Sequence, residues 1–266
     1  MSVVKNKRIQ SPHDFWWKMD KLKQYTYEKI ANTPKRKFRW ICKDIGTHTA
    51  NAAHYVLTAD EIYVRSDKDL KQRYTLLCNA MAELESLQPF LYNFWNIQRT
   101  ESKKMEFWSN SINEEMIMIA GLVKKESGRE LKVNRIKPLR WKQIRDCKYV
   151  AKMAEYHRYV HGKVIHIPFQ NLDSNELIKL VDAAFYDAVE SNWKIPETKE
   201  EYESRTAYIN DAIQKLTISQ TYVYALWNLK PYSEREMNEW SNLLDETLRL
   251  LQAVKKSDAN RFRSLT

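Results

Sequence analysis

Only 4 glycines occur in 266 residues, against roughly 7% in an average chain. So little glycine cannot supply many tight hairpins, phosphate-cradling loops or nucleotide-binding turns, which need backbone that glycine adopts most easily. Cysteine is scarce as well. Cys42, Cys78 and Cys147 are odd in number, far apart and form no Cys-x2-Cys pair. This argues against a disulfide framework and favours reduced, buried thiols in a cytoplasmic protein. No apolar run approaches the roughly 18–20 residues that cross a bilayer, and no apolar stretch follows the charged N-terminus as in a secretory leader. A Gly-rich phosphate loop, a nucleophile elbow and a His-Glu-x2-His pattern are all missing. Neither a cofactor nor an enzymatic activity is therefore expected.

What is present is a helix-forming chain able to build a core, with 43% hydrophobic and 12% aromatic residues. It is basic, with a net charge of +10. Much of the excess is concentrated. Between Gly121 and Lys152 eleven Lys/Arg stand against Glu126, Glu130 and Asp146, a net of +8 in 32 residues. Concentrated positive charge attracts polyanions by steering and counterion release.

The chain also repeats itself. Arg73, Ala80, Leu84, Gln88, Tyr92, Trp95 and Asn96 return as Arg205, Ala212, Leu216, Gln220, Tyr224, Trp227 and Asn228, always 132 residues later. The match continues from Met105 to Met237, from Trp108-Ser109-Asn110 to Trp240-Ser241-Asn242, and from Glu114 to Glu246. Upstream, Ala52-Ala53-His54-Tyr55 aligns with Ala183-Ala184-Phe185-Tyr186 at an offset of 131. A repeat of this length implies one structural unit used twice.

Each copy reads as four helices. In the first, Phe15, Met19, Leu22, Tyr25 and Ile30 keep helical spacing from Ser11-Pro12 until Asn32-Thr33-Pro34. A second helix is expected over 36–64, with Thr49 the one polar member of its apolar stripe, its hydroxyl free to bond back one turn. A third opens at Ser66-Asp67 and reaches Trp95-Asn96, with Pro89 expected to kink it. The fourth spans 102–125 and ends at Ser127-Gly128. In the second copy the helices fall at 139–161, 173–193, 197–229 and 233–257. Val164–Phe169, β-branched and Pro-punctuated, reads as an extended crossover. Short connections favour antiparallel neighbours, so the expected fold is all-α: two tandem up-down four-helix bundles, 11–128 and 139–258, joined by a basic linker at 129–138.

Candidate chemistry is thin. His157 and His161 share a helix face, with His166 beyond, but Lys152, Arg158 and Lys163 flank them. They read as exposed or phosphate-facing histidines, and no metal site is assigned. Glu114 and Glu246 read as matched helix–helix polar contacts. Trp95, Trp108, Trp227 and Trp240 read as core anchors. Trp16, Trp17, Trp40 and Trp141 adjoin cations, an arrangement that suits stacking on unpaired bases beside backbone neutralisation.

Two cationic clusters form the candidate nucleic-acid site. Lys35, Arg36, Lys37 and Arg39, with Trp40, lie at a helix N-terminus, where positive charge opposes the macrodipole and so points to an external anion. The second cluster comprises Lys124, Lys125, Arg129, Lys132, Arg135, Lys137, Arg140, Trp141, Lys142 and Arg145.

Several of these residues carry a resemblance. The Pro34-Lys35-Arg36-Lys37-Phe38 turn, Ala59-Asp60-Glu61-Ile62-Tyr63-Val64 closing the second helix, and the Arg73, Ala80, Leu84 spacing are its first elements. Lys104-Met105-Glu106-Phe107-Trp108-Ser109, Ile112-Asn113-Glu114 and Gly121-Leu122-Val123-Lys124 complete it. Over residues 14–127 the chain resembles the four-helix-bundle family that includes the accessory variability determinant of diversity-generating retroelements. Related bundles are encoded in ribosomal-RNA intervening sequences. Met105 replaces an aromatic, Glu115-Met116 replace Ile-Gly, and Leu122 replaces a Trp of that family's pattern. The resemblance implies a non-enzymatic basic scaffold that binds a dedicated reverse transcriptase and its structured template RNA in support of cDNA synthesis. It also implies a homo-oligomer. Family members form a pentameric ring of single bundles, so with two bundles per chain either the second lies outside the ring or the oligomer differs. The alternative is a helical interaction scaffold that binds an acidic protein and no nucleic acid.

Overall fold

The computed structural model describes residues 14–98, 102–137, 146–167, 171–193, 195–228 and 232–265, with backbone alone at Lys35, Arg36, Lys37, Arg39, Ser102 and Leu265. The described residues form eight α-helices and no strand. They are α1 (Asp14–Ala31), α2 (Lys35–Glu61), α3 (Asp67–Gln98), α4 (Ser102–Ser127), α5 (Lys148–Val164), α6 (Leu172–Trp193), α7 (Lys199–Asn228) and α8 (Glu234–Arg261), followed by a 3-10 turn at Arg263–Leu265. Two compact units divide them. One is residues 1–94 with 100–139; the other is 95–99 with 140–266.

Local chemistry sets the helix starts. At α3, Ser66 Oγ accepts from Asp69 N at 3.3 Å while Asp69 Oδ2 accepts from Arg65 N at 3.1 Å. The same reciprocal cap recurs 132 residues on, where Thr198 Oγ1 accepts from Glu201 N at 3.2 Å and Glu201 Oε2 accepts from Thr198 N at 3.3 Å. A third box, Ser233 with Glu236, opens α8. Each satisfies first-turn donors that a helix otherwise leaves without partners. Gly128, at φ 68°, ends α4 in the left-handed conformation that costs glycine nothing. Pro89 lies inside α3 without ending it.

In the first unit the contacts run antiparallel around the four helices. Lys18 and Thr26 of α1 meet Glu114 and Trp108 of α4, at 2.9 and 3.1 Å. His48 of α2 meets Glu83 of α3 at 2.5 Å, and Phe38 meets Phe94 further along the same pair of helices. In the second unit Lys152 and Lys163 of α5 meet Glu246 and Glu236 of α8, at 3.0 and 2.6 Å. Tyr149 and His161 of α5 meet Ser191 and Asp182 of α6. Lys18–Glu114 and Lys152–Glu246 are thus matched ion pairs, as the sequence suggests for the two glutamates. The buried stripe of α2 (Ile45, Thr49, Ala52, Ala53, Val56, Ala59) corresponds to Leu177, Val181, Ala184, Phe185, Ala188 and Ser191 of α6. The register there is 132, not 131, because burial follows the helix face and not the alanine pair.

A buried arginine ties three helices in each unit. Arg73 donates from Nη1 to Ala59 O (2.7 Å) and Ile62 O (3.1 Å) at the C-terminal end of α2, and from Nε to Glu126 of α4 (2.8 Å). Arg205 donates from Nη1 to Ser191 O and from Nε to Asp258 of α8 (2.7 Å). The guanidinium serves the last carbonyls of one helix and a carboxylate of another, so its own burial is compensated.

Three further expectations from the sequence fail in the helices themselves. Trp95, Trp108 and Trp240 are buried, but Trp227 is exposed against Tyr224, which is exposed too. The turn holding Trp95 is anchored through Asn96 to α5, whereas Asn228 at the corresponding place is exposed. Thr49 is buried, yet its hydroxyl finds no partner. Val164–Ile167 is the end of α5 followed by a turn, with Ile165 helical at φ −55° and ψ −25°, not an extended crossover; Pro168 and Phe169 lie outside the described residues.

Glu115 is fully buried on α4 with no partner for either oxygen. Burial pushes its pKa up to about 8, with Lys18 acting weakly in the other direction. An acid whose folded pKa exceeds its unfolded value holds a proton that the unfolded chain sheds. Stability should therefore fall as pH rises from about 4.5 to about 8, then level off. Glu115→Gln should remove this slope and raise stability at pH 8 by about 1–3 kcal/mol in urea melts; an unchanged pH profile would contradict the assignment. In the same assay Arg205→Met should cost about 3 kcal/mol, because it strands Asp258 and the α6 carbonyl. A loss below about 1 kcal/mol would show that the arginine is peripheral.

Candidate nucleic-acid interface

The basic stretch after α4 is not a loose linker over its described part. From Gly128 it turns back along α4, and Ile136 is gripped by one side chain. Asn113 Oδ1 accepts from Ile136 N and Asn113 Nδ2 donates to Ile136 O, both at 2.7 Å. That reproduces one rung of a β-ladder with a helix side chain as the partner, which satisfies a backbone no sheet would otherwise pair. Ile136 is buried, and Leu131 and Val133 are half-buried. Arg129, Lys132, Arg135 and Lys137 are exposed. The segment is a strap with apolar residues inward and cations outward, running from the C-terminal end of α4 to its middle.

The cations are not equally available. Lys124 pairs with Glu130 at 2.7 Å, but both side chains remain largely exposed, so the pair is weak and exchangeable. The Arg129 guanidinium lies 4.7 Å from the centroid of the Tyr74 ring. Such a cation–π contact holds the arginine flat without consuming its hydrogen-bond donors. Lys125, Lys132 and Arg135 are exposed. Arg140, Trp141, Lys142 and Arg145 lie outside the described residues.

The first cluster begins α2. Lys35 is its first residue, Pro34 supplies no side-chain cap, and the first turn contains no acid. The backbone on both sides is nonetheless fixed. Thr33 Oγ1 donates to Lys29 O at 2.7 Å as α1 closes, and Phe38 is buried against Phe94 at 5.7 Å between ring centroids. This helix start carries partial positive charge from its free N–H groups and side-chain charge of the same sign. Trp40 is half-buried. Trp16 and Trp17 meet edge-to-face at 4.6 Å, with Trp17 exposed.

The histidines are placed differently from the sequence reading. His157 and His161 are buried, neither exposed nor facing a phosphate, while His166 is exposed. Both buried rings point at Asp182 of α6. Asp182 had no sequence signal, since it lies on a different helix. The cations that flank the histidines in sequence are engaged: Lys152 with Glu155 and Glu246, Lys163 with Glu236, and Arg158 with the Asn96 side-chain oxygen at 2.7 Å.

Comparison of the chain with protein-family models, curated proteins and solved structures finds no match.

The Asn113 clamp has a direct consequence. Asn113→Ala should free the strap, so trypsin should cut after Arg129, Lys132 and Arg135 about tenfold faster, as expected for losing two hydrogen bonds. Unchanged cleavage rates with an intact helical spectrum would show that the strap is held by something else.

Proposed function

We propose that this chain is a non-enzymatic, basic accessory protein that binds structured RNA and a reverse transcriptase, supporting template-directed cDNA synthesis in a diversity-generating retroelement. The observation that carries the reading is the strap. Its cations are set outward on backbone fixed by Asn113 and Ile136. Charge fixed to a rigid frame loses little entropy on meeting a phosphate backbone. The uncapped, acid-free start of α2 adds a second positive region. Trp40, half-buried in the second turn of α2, is an aromatic of the kind that stacks on unpaired bases.

The motif resemblance over 14–127 supports the reverse-transcriptase partner and homo-oligomerisation, and the three widely spaced cysteines support a cytoplasmic location. In this reading the chain is a tandem duplication of one up-down four-helix bundle. The 132-residue recurrence of the α3 cap, the buried arginine and its carboxylate supports that arrangement. The RNA-contacting cations run from the first bundle through the basic linker to Arg140, Lys142 and Arg145.

Binding of a structured RNA should be strongly salt-dependent. Replacing Arg129, Lys132, Arg135 and Lys137 by Glu should weaken it about equally for unrelated sequences and lower the log–log salt slope by about 3. Reversal of that set together with Lys35, Arg36, Lys37 and Arg39 should abolish it. Unchanged affinity after both reversals would overturn the proposal in favour of a scaffold that binds protein alone.

A further inference from the structure

We propose that His157, His161 and Asp182 form a binding site for a divalent transition-metal ion of the zinc class. The two histidines stand one helical turn apart on α5, and Asp182 faces them from α6. Both Nε2 atoms aim at one oxygen, Asp182 Oδ1, at 2.9 Å from His157 and 2.6 Å from His161. The three donor atoms all lie within 4.8 Å of one another. A tetrahedral ion held at about 2.0–2.2 Å places its donors roughly 3.4 Å apart, so each histidine–Asp182 distance would widen by about 0.5–0.8 Å and any donor pair near the 4.8 Å limit would close by up to about 1.4 Å.

The ligand types suit the ion, since two imidazoles and one carboxylate are a common set for borderline metals. Burial holds His157 neutral, with its pKa lowered to about 4 despite the Asp182 hydrogen bond. Asp182 retains 13% side-chain exposure while both imidazoles are closed off, so the carboxylate is the side of the cluster nearest solvent. The fold itself does not call for these residues. With the matched pairs Lys18–Glu114 and Lys152–Glu246 as register, the first unit has Lys23 and Tyr27 where the second has the histidines. It has Ala50 where the second has Asp182.

Without an ion, protons occupy the site. Asn96 Nδ2 donates to Ala154 O (3.1 Å) and to His157 Nδ1 (2.8 Å), and its Oδ1 accepts from Arg158. His157 therefore carries its proton on Nε2 and donates it to Asp182, as His161 does. Metal binding replaces these two N–H bonds with two metal–nitrogen bonds. The Nε2 proton of His161 shifts to its own Nδ1 by exchange with water. That of His157 shifts likewise, to an Nδ1 that then needs an acceptor. Asn96 supplies one only by turning its amide over, at the expense of Arg158. A carboxylate at position 96 would instead accept from both.

The test is titration of the purified full chain, stripped with chelator, with Co2+ alone. The expected result is a saturable visible ligand-field absorption at one ion per chain, displaced by Zn2+. Asp182→Asn and His161→Gln should abolish it, and His166→Gln should leave it unchanged. Asn96→Asp should tighten binding by about tenfold, because its carboxylate accepts the proton on His157 Nδ1. Absence of the absorption in the unmutated chain would overturn the proposal, leaving a hydrogen-bonded node. So would an absorption that survives Asp182→Asn.

Discussion

The fold depends on a buried guanidinium at the same place in each unit. Arg73 and Arg205 sit where the second helix ends and the third begins, and each reaches a carboxylate near the end of the fourth. A helix terminus inside a packed unit must place its last carbonyls on some donor. Arginine is suited to this because one planar group serves backbone and side-chain acceptors at once. Once the two are set, the antiparallel neighbours and their apolar faces follow, and Trp108 and Trp240 fill the interior with their ring nitrogens bonded to Thr26 and Tyr156.

Much of this was legible in the sequence, for physical reasons. Helix number, order and most ends follow from apolar periodicity and from caps such as Ser66 and Ser233, which act within a few residues. Arg73 and Arg205 stood out in the repeat. Their partners did not, because Glu126 became Asp258 and the shortening hides the match. Interactions between helices were the less legible part. Asn113 looks like any polar residue on a helix until the strap lies beside it, and Asp182 gives no hint of the two imidazoles it will meet. Trp227 misled the reading because sequence equivalence fixes position along a helix but not what packs over it.

Matched positions of the two units hold different buried polar groups. Thr49, Asn93 and Glu115 are buried in the first without partners, and the residues 132 positions on are Val181, Ala225 and Thr247. The second has instead acquired the Asn96–His157–Asp182–His161 chain of hydrogen bonds. Buried polar groups cost stability unless they are satisfied or put to use. The first unit keeps a carboxyl poised near neutrality and a cationic strap, while the second keeps a set of converged metal-type donors.

In the function proposed here, positive charge held on the first unit meets a nucleic-acid backbone. Ultraviolet crosslinking of the intact protein to a structured RNA, followed by identification of the linked peptides, tests it most directly. Links are expected within 124–137 and around Trp40. Crosslinks confined to α7 and α8, or none at an RNA concentration that saturates binding, would contradict it.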